Sequence, residues 1–209
     1  MGHLYADRAE AGALLAERLL GAVDPVVLAL PRGGVAVAVP VVRRLGGHLD
    51  VLVCRKIGYP PMPELGVGAI CEGGEPVFDD DLLYRLGLTP ASLADVVAAE
   101  RRELARRVSV YRGSRALPQL MGRDVIVVDD GLATGGTARA ALRAVAEAKP
   151  GRLTLAVPVG APDTVRSLRG EADEVVVLAT PAAFEAVGQW YRHFDQLTDA
   201  DVLSLLSSG

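Results

Sequence analysis

Short runs of β-branched and apolar residues alternate along the chain with longer segments whose apolar positions recur at helical spacing. The short runs are typical of buried strands, and the longer segments are typical of helices that bury one face. The predicted strands are residues 26–30, 49–54, 124–128, 153–157 and 174–178. The predicted helices are residues 7–20, a segment that ends near residue 45, and residues 79–112, 137–148, 163–168 and 198–206.

The first predicted helix has both a start signal and an apolar face. Asp7 is placed to cap its first turn, and Glu10, three residues later, suits a capping box. Leu14, Leu15 and Leu19 are expected to form one apolar face.

Residues 56–75 interrupt the alternation because they are dense in Gly and Pro. They are predicted to form a loop with one short strand at 66–70. The remaining alternation of strands and helices predicts an α/β fold, with a mostly parallel twisted sheet and helices on both of its faces. A chain of 209 residues is long enough for one such domain over residues 1–209.

The charge balance argues against nucleic acid as a partner. The chain has 22 Lys and Arg against 26 Asp and Glu, a formal net charge of −4, so no overall positive field attracts phosphate backbones. The alternative is a local basic patch that binds nucleic acid, formed by Arg101, Arg102, Arg106 and Arg107.

The cysteines and the apolar runs bear on the compartment. Cys54 and Cys71 lack a C-x-x-C spacing and lie in or near apolar stretches, so we expect neither a zinc site nor a disulfide framework, and a reducing compartment. The longest uncharged apolar run, residues 33–42, is well short of the roughly 18 residues that a membrane span needs. The first twenty residues lack the basic start and apolar block of a signal peptide. We therefore expect a cytoplasmic protein with no membrane partner.

The strongest chemical signal follows the strand predicted at 124–128. Asp129 and Asp130 come at its carboxyl end, where open α/β sheets bind ligands. The Gly- and Thr-rich turn at 131–137 then opens a helix, so its backbone N–H groups, its hydroxyls and the helix dipole suit a phosphate. Because carboxylates repel a bare anion, a ribose 5-phosphate fits better, with its hydroxyls on the acids. The alternative is an ordinary strand, turn and helix; a Walker A loop is excluded because no lysine precedes Thr137.

The string Asp129-Asp130-Gly-Leu-Ala-Thr-Gly-Gly-Thr137 resembles the 5-phosphoribosyl-1-pyrophosphate (PRPP) motif of the type I phosphoribosyltransferases, and its ending is similar to that of adenine phosphoribosyltransferase. The resemblance implies the type I phosphoribosyltransferase fold, with Asp129 and Asp130 as catalytic residues. It implies Mg²⁺ as the cofactor, carried on PRPP oxygens and not by a metal site of the protein. The residues that it implies for the PRPP phosphate are Ala133, Thr134, Gly135, Gly136 and Thr137.

Three further segments resemble parts of a PRPP site. The turn Leu30-Pro-Arg32-Gly33-Gly resembles the family's pyrophosphate loop, which often contains a cis peptide bond, and Arg32 and Gly33 would bind pyrophosphate there. Arg55 and Lys56 end the second predicted strand, where the family places basic residues on pyrophosphate. Residues 57–75 resemble, in position, the mobile loop that closes over PRPP. The alternatives are a plain turn, an exposed basic pair and an ordinary surface loop.

The aromatic residues near the end of the chain resemble a base-binding hood. By similarity to the Phe-x-Val-Gly-Tyr pattern of hypoxanthine-guanine phosphoribosyltransferase, Phe184 would stack on the base and the Val187 backbone would hydrogen-bond to it, with Trp190 also at the base. The alternative is a hydrophobic cluster that holds the C-terminal helix. In this interpretation the hood covers about residues 180–209, and about residues 79–115 form a helical insertion.

The resemblance predicts an enzyme that transfers the 5-phosphoribosyl group from PRPP to a nitrogenous base, with a purine-like base favoured, and releases pyrophosphate. Two departures from the 6-oxopurine enzymes bear on this: Ala133 stands where those enzymes have an aspartate, and Pro158 and Val159 stand where they have a lysine. These departures motivate the alternative, a PRPP- or nucleotide-sensing regulatory protein on the same fold without transfer activity. The expected partners are PRPP, a small base or nucleotide, and a second copy of the chain in a homodimer.

Overall fold

The computed structural model describes residues 3–208 of the chain. Its strands are β1 (Val26–Ala29), β2 (His48–Val51), β3 (Cys54–Tyr59), β4 (Met62–Cys71), β5 (Val77–Phe78), β6 (Asp124–Val128), β7 (Arg152–Val159) and β8 (Glu174–Ala179). Its α-helices are α1 (Arg8–Ala16), α2 (Gly33–Leu45), α3 (Asp80–Leu86), α4 (Ala94–Arg112), α5 (Gly136–Glu147), α6 (Pro162–Leu168) and α7 (Asp199–Ser208).

The main sheet has five strands in the order β2-β1-β6-β7-β8, and every neighbouring pair is parallel. This arrangement confirms the predicted α/β class. Alternate residues of each strand point to opposite faces, so the sheet has two cores. Val27 and Ile126 pack on the face that α1, α2 and α7 cover, while Leu28 and Val127 pack on the face that α5 and α6 cover.

Helix α1 starts as predicted but buries a narrower face. The Asp7 side chain caps it by accepting a hydrogen bond from the Glu10 N–H at 2.9 Å. Leu15 and Leu19 are buried, whereas Leu14 is 49 % exposed. The prediction for Leu14 is wrong because the buried face of α1 is formed by Ala11, Gly12, Leu15 and Ala16, and at about 100° per residue Leu14 falls outside that face.

The strand predicted at 66–70 is confirmed within β4, but the loop predicted for the rest of 56–75 is wrong. Strands β3 and β4 form an antiparallel hairpin that β5 extends into a second, three-stranded sheet. The glycines that suggested a loop let backbones approach one another instead. A Cβ atom on Gly58 would lie 2.5 Å from the Pro63 carbonyl oxygen, and one on Gly68 would lie 2.6 Å from the Val77 carbonyl oxygen. The strand predicted at 49–54 is correspondingly divided, since β2 ends at Val51 and the chain enters the second sheet at Cys54.

The two cysteines form a disulfide, which their spacing in the sequence did not predict. Cys54 and Cys71 lie directly opposite each other in the β3–β4 pair, and their Sγ atoms form a disulfide. The two residues are 17 positions apart, and the hairpin register brings them together. Sequence spacing could not reveal this because it depends on a hairpin that was predicted to be a loop.

The helical prediction for residues 79–112 is confirmed by α3, a 3₁₀ turn at Pro90–Leu93 and α4. A buried ion-pair network attaches the end of α4 to the sheets. The Arg112 guanidinium donates two hydrogen bonds to the Glu72 carboxylate at 2.7 Å, one to Asp50 Oδ1 at 3.2 Å and one to the Val51 carbonyl at 2.7 Å. The end of α4 is therefore anchored to β2 and to the hairpin.

Helix α7 packs beside α2 and α4. The Tyr111 hydroxyl of α4 donates a hydrogen bond to Asp199 Oδ1 at 2.5 Å at the start of α7. The aromatic cluster of the hood instead packs on Tyr5 and Ala11. The alternative in which that cluster holds the C-terminal helix is therefore wrong.

Within residues 3–208, no single helix has the length and apolar composition of a membrane span. Among these residues, only α3 and the segment 90–112 taken together have that length and composition, and their axes are bent by 86° relative to each other.

Candidate functional site

The connection from β6 to α5 forms an open cradle at the carboxyl edge of the main sheet. Gly135 takes a left-handed conformation with φ 76° at the N-cap of α5, which favours glycine there. The Thr164 hydroxyl donates a hydrogen bond to the Ala133 carbonyl at 2.6 Å and so fixes the turn from its side. Ala133 and Thr134 are exposed. Because the first amides of a helix have no partner inside it, this turn can bind an anion.

The cradle opens onto a cavity of about 180 Å³, and its lining includes Asp129, residues 131–138 and Val187. The structure therefore brings one of the two acids, the five residues predicted to bind the phosphate and one hood residue to the same cavity.

The two acids are held by different partners. Asp129 Oδ1 accepts a hydrogen bond from the Asp130 N–H at 2.8 Å. Asp130 Oδ2 accepts one from Arg8 Nε at 2.8 Å, and this ion pair is largely buried. The Tyr191 hydroxyl donates to the Asp130 backbone carbonyl at 2.6 Å. Asp130 is thus tied to α1 and to the hood, whereas no basic side chain within residues 3–208 pairs with Asp129.

The electrostatics of the two acids differ for the same reason. Burial, together with the nearby charge of Asp130, raises the pKa of Asp129 well above its usual value. Burial also raises the pKa of Asp130, but the hydrogen bond and the charge of Arg8 oppose this shift. Of the two carboxyl groups, Asp129 is therefore the one that more readily holds a proton before a ligand binds.

The turn at 31–34 lies directly against the acid pair. Its Pro31–Arg32 peptide bond is cis, as the resemblance implies. A Cβ atom on Gly33 would lie 1.9 Å from Asp130 Oδ2, and one on Gly34 would lie 2.6 Å from the Val128 carbonyl oxygen. Glycine is therefore required at 33 if the Asp130 carboxylate is to stay where it is.

The basic residues predicted for pyrophosphate point in three directions. The Arg32 guanidinium is about one-third exposed, with Nη1 3.9 Å from Asp199 Oδ1. Arg55 pairs with Glu100 of α4 at 2.7 Å and lines neither of the two cavities at the cradle. Lys56 Nζ donates to the Glu64 carbonyl at 2.8 Å and lines a cavity of about 460 Å³ that also includes Thr134 and Thr137. Lys56 is therefore the member of the basic pair that faces the cradle.

The hood residues are placed at different depths. Val187 reaches the cradle, since a Cβ atom on Gly131 would lie 2.6 Å from Val187 Cγ1. Phe184 is half-buried, with its ring centroid 6.2 Å from that of Trp190. Trp190 is only 6 % exposed and belongs to the aromatic core, with its Nε1 donor unpaired among the described residues. Its burial argues against direct contact between Trp190 and a base.

The sequence patterns did not indicate two residues of the site, Arg8 and Tyr191. Arg8 lies 122 positions from Asp130, and Tyr191 lies 61 positions from it. No spacing or motif links such distant residues, although Tyr191 belongs to the aromatic cluster that the sequence does show. Arg8 gave no signal, because a charged residue in the first turn of a helix is commonly exposed.

The arginines of α4 do not form a free basic patch. Arg101 pairs with Glu75, while Arg106 and Arg107 both pair with Glu103. Three of the four arginines considered for nucleic-acid binding are therefore paired, with two glutamates among them. Across residues 3–208 there is also no group of three or more His, Cys, Asp or Glu side chains arranged to hold a metal ion.

Comparison with known proteins gives a consistent family. The family profile described as "Phosphoribosyl transferase domain" matches residues 5–188. The Mycobacterium tuberculosis (strain ATCC 25618 / H37Rv) protein named "Putative phosphoribosyl transferase Rv0571c" is 47 % identical over 205 residues, which are 97 % of this chain and 46 % of that protein. The chain thus spans about half the length of the curated relatives it matches.

Two solved structures resemble the chain to different degrees. The crystal structure of TT1426 from Thermus thermophilus has 47 % sequence identity and a TM-score of 0.82, and the match covers 97 % of both chains. The structure of the AQ2163 protein from Aquifex aeolicus has 15 % identity and a TM-score of 0.51, covering 82 % of this chain and 72 % of that chain. The second likeness shows the fold alone.

Proposed function

The chain belongs to the phosphoribosyl transferase domain family, and we propose that it transfers the 5-phosphoribosyl group of PRPP to a nitrogenous base, with a purine-like base favoured, and releases pyrophosphate. The observation that carries the proposal is the juxtaposition at the end of β6. Asp129 lines the same cavity as the glycine-rich cradle at 131–137, and the Asp130 carboxylate touches Gly33 of the 31–34 turn. This arrangement offers acids to a sugar and amides to its phosphate.

In the proposed reaction, the bond between the anomeric carbon and a pyrophosphate oxygen breaks, and its electron pair leaves with pyrophosphate. A ring nitrogen of the base forms the new bond to that carbon, and any proton on the nitrogen passes to solvent. The ribose becomes positively charged as the leaving group departs. Asp129 and Asp130 would accept hydrogen bonds from the ribose hydroxyls and stabilise this charge, while residues 133–137 hold the 5′-phosphate.

The acid pair also fits Mg²⁺ as a cofactor that binds together with PRPP. Carboxylate oxygens are ligands that Mg²⁺ prefers, and the ion commonly combines one or two carboxylates with substrate phosphates. We propose that PRPP oxygens hold it, next to Asp129 and Asp130. When bound there, it would neutralise charge on the leaving pyrophosphate.

The position of Lys56 and of the 31–34 turn supports the same assignment of the pyrophosphate end. We propose that Arg32 and Lys56 bind pyrophosphate, with the Gly33 amide beside them. Arg32 lies in the turn that contacts Asp130, and Lys56 lies in the hairpin across the cavity from Thr134. The hairpin β3–β4 would close over PRPP and exclude water, whose attack is the competing reaction.

The acceptor base is proposed to bind between the cradle and the hood. Val187 is the hood residue that lines the cradle cavity, and Phe184 is the partly exposed aromatic ring near it in sequence. A flat π-face stacks on any aromatic base, so Phe184 does not choose among bases. Trp190 would act by supporting Phe184 from behind.

The test is pyrophosphate release from PRPP with Mg²⁺ and a panel of purines, pyrimidines and carboxylated heterocycles. We expect at least one base to be accepted and both Asp129→Asn and Asp130→Asn to abolish most of the turnover. Asp95→Asn, an exposed acid on α4, is the matched control and should keep full activity. Unchanged turnover in both site variants, with every accepted base, would overturn the assignment.

The Arg8–Asp130 ion pair favours one second candidate, a sensor that binds PRPP or a nucleotide without transfer. An acid already paired with a cation has less capacity to stabilise a developing positive charge. Tight binding of PRPP with no pyrophosphate release in any mixture would favour the sensor over the enzyme. A cytoplasmic location and a homodimer stay predictions.

A further inference from the structure

Arg8 contacts the acid pair and the hood at the same time. Its Nε donates to Asp130 Oδ2 at 2.8 Å, and its Nη1 donates to the Asp195 backbone carbonyl at 3.0 Å. Its Cζ atom lies 3.8 Å from the centroid of the Phe194 ring, a cation–π contact. The Arg8 side chain is 11 % exposed, so this guanidinium is held by these groups and not by solvent.

The contacts continue from Phe194 back to the cradle. The Phe194 ring stacks on Tyr191 at 5.1 Å, and a Cβ atom on Gly188 would lie 2.7 Å from Phe194 Cδ1. Gly188 follows Val187, which lines the cradle cavity and packs against Gly131. A continuous path of packed groups therefore joins the Asp130 carboxylate, through Arg8 and Phe194, to the proposed base-contact residue.

We propose that Arg8 is a positioning residue that couples Asp130 to the hood segment 187–195, so that occupation of the ribose site by PRPP orders the segment that receives the base. This inference rests on the proposed function, because it takes Asp130 as a ribose-binding group. A ribose hydroxyl that donates to Asp130 fixes the carboxylate, and the fixed carboxylate in turn holds the Arg8 guanidinium, which donates to its Oδ2. Phe194 and the Asp195 carbonyl contact the same guanidinium, so they become ordered with it.

The chemistry of this coupling needs arginine. A guanidinium can donate along two edges of a plane and offer its flat face to a ring, whereas a lysine ammonium is a compact point charge. Arg8→Lys keeps the charge beside Asp130 but cannot reproduce all three contacts. Phe194→Leu keeps the apolar contact with Gly188 and leaves the Arg8–Asp130 pair intact, so it removes only the hood end of the path.

Hydrogen exchange with and without saturating Mg²⁺–PRPP tests the coupling on the full chain. In the wild type, PRPP should slow exchange both in the cradle, residues 131–138, and in the hood segment, residues 187–195. In Arg8→Lys and in Phe194→Leu, the cradle should still respond and the hood segment should not. Arg18→Lys, an exposed arginine that follows α1, is the matched control and should behave as the wild type.

Affinity separates the two ends of the path. Because Arg8→Lys leaves the Asp130 carboxylate less firmly placed for the ribose, it should weaken Mg²⁺–PRPP binding about tenfold, measured by titration calorimetry. Phe194→Leu should leave that affinity close to the wild-type value. A merely structural role for Arg8 would instead speed hood exchange before PRPP is added and leave the PRPP-induced slowing in place.

The possible failures are distinguishable. If the wild-type cradle responds to PRPP but the hood segment does not, or if Arg8→Lys retains the full hood response, the coupling is refuted while the proposed function survives. If Mg²⁺–PRPP changes neither segment of the wild type and does not bind in calorimetry, both the proposed function and the coupling are overturned.

Discussion

Gly33→Ala is the substitution whose effect the structure specifies most directly. A methyl group at residue 33 would lie 1.9 Å from Asp130 Oδ2, 2.5 Å from Asp130 Cγ and 3.1 Å from Arg8 Nε. Ordinary van der Waals contact begins near 3.4 Å, so the carboxylate oxygen would need to move by about 1.5 Å. A displacement of that size breaks the 2.8 Å hydrogen bond between Arg8 and Asp130.

The expected loss follows from the hydrogen bond that the displaced Asp130 carboxylate would no longer accept from a ribose hydroxyl. A hydrogen bond to a charged group contributes about 1.5–3 kcal/mol, which corresponds to roughly 10- to 150-fold in an equilibrium constant. Because we place Asp130 on the ribose, the affinity for Mg²⁺–PRPP should fall by about this factor in Gly33→Ala. The catalytic efficiency kcat/KM for PRPP should fall at least as much, since a displaced acid also stabilises the transition state less well.

Titration calorimetry gives the affinity, and the pyrophosphate-release assay gives kcat/KM. Gly170→Ala is the control, because a Cβ atom at that position meets nothing within 4 Å. Circular dichroism would establish that Gly33→Ala is folded. A folded variant whose PRPP affinity and kcat/KM equal those of the wild type would show that Asp130 does not contact the ligand, and the reasoning from Gly33 would fail.

Three further predictions concern stability. Arg112→Ala should lower the free energy of unfolding by about 3–5 kcal/mol in urea titrations, because it leaves buried carboxylates unpaired. The control Arg101→Ala, at an exposed position, should change that free energy by less than about 1 kcal/mol. Equal effects of the two substitutions would refute a structural role for the buried network. Asp129→Asn should stabilise the fold at pH 7: since burial raises the folded-state pKa, ionising Asp129 lowers wild-type stability as pH rises above the usual pKa of 3.8. The advantage of Asp129→Asn should therefore vanish below that pH, and a pH-independent difference would contradict the assignment. The Cys54–Cys71 disulfide joins residues 17 positions apart. Reduction with dithiothreitol should therefore lower the free energy of unfolding by about 3 kcal/mol, the value for a closed loop of about this length. A melting temperature that does not change on reduction would argue against the Cys54–Cys71 bond.

The candidate site was largely predictable because its central part is local in sequence. The strand β6, the two acids, the turn and the start of α5 follow one another without interruption, so their order alone places carboxylates and free amides at one edge of a sheet. The turn at 31–34 was predictable for the same reason. It follows a buried strand and opens a helix, and β1 pairs directly with β6.

The hairpin was not predictable in this way. Gly and Pro break most strands, so a segment rich in both favours a loop when only local preference is considered. In the folded chain, Gly58 and Gly68 permit backbone contacts that a side chain would block, and pairing across β3, β4 and β5 outweighs the local preference. The disulfide depended on that pairing and was missed with it.

Local patterns in this chain establish the α/β alternation, the acid pair beside the glycine-rich turn and the helical segment 79–112, because each of these arises from residues within a few positions of one another. The tertiary structure determines the partners: Arg8 pairs with Asp130 across 122 positions, Tyr191 donates to the Asp130 carbonyl, and Trp190 lies in the buried aromatic cluster. A contact between distant segments leaves no periodic trace in the residues between them. Such a contact depends on which strands pair and which helices cover them, and local patterns in a single sequence do not predict that geometry.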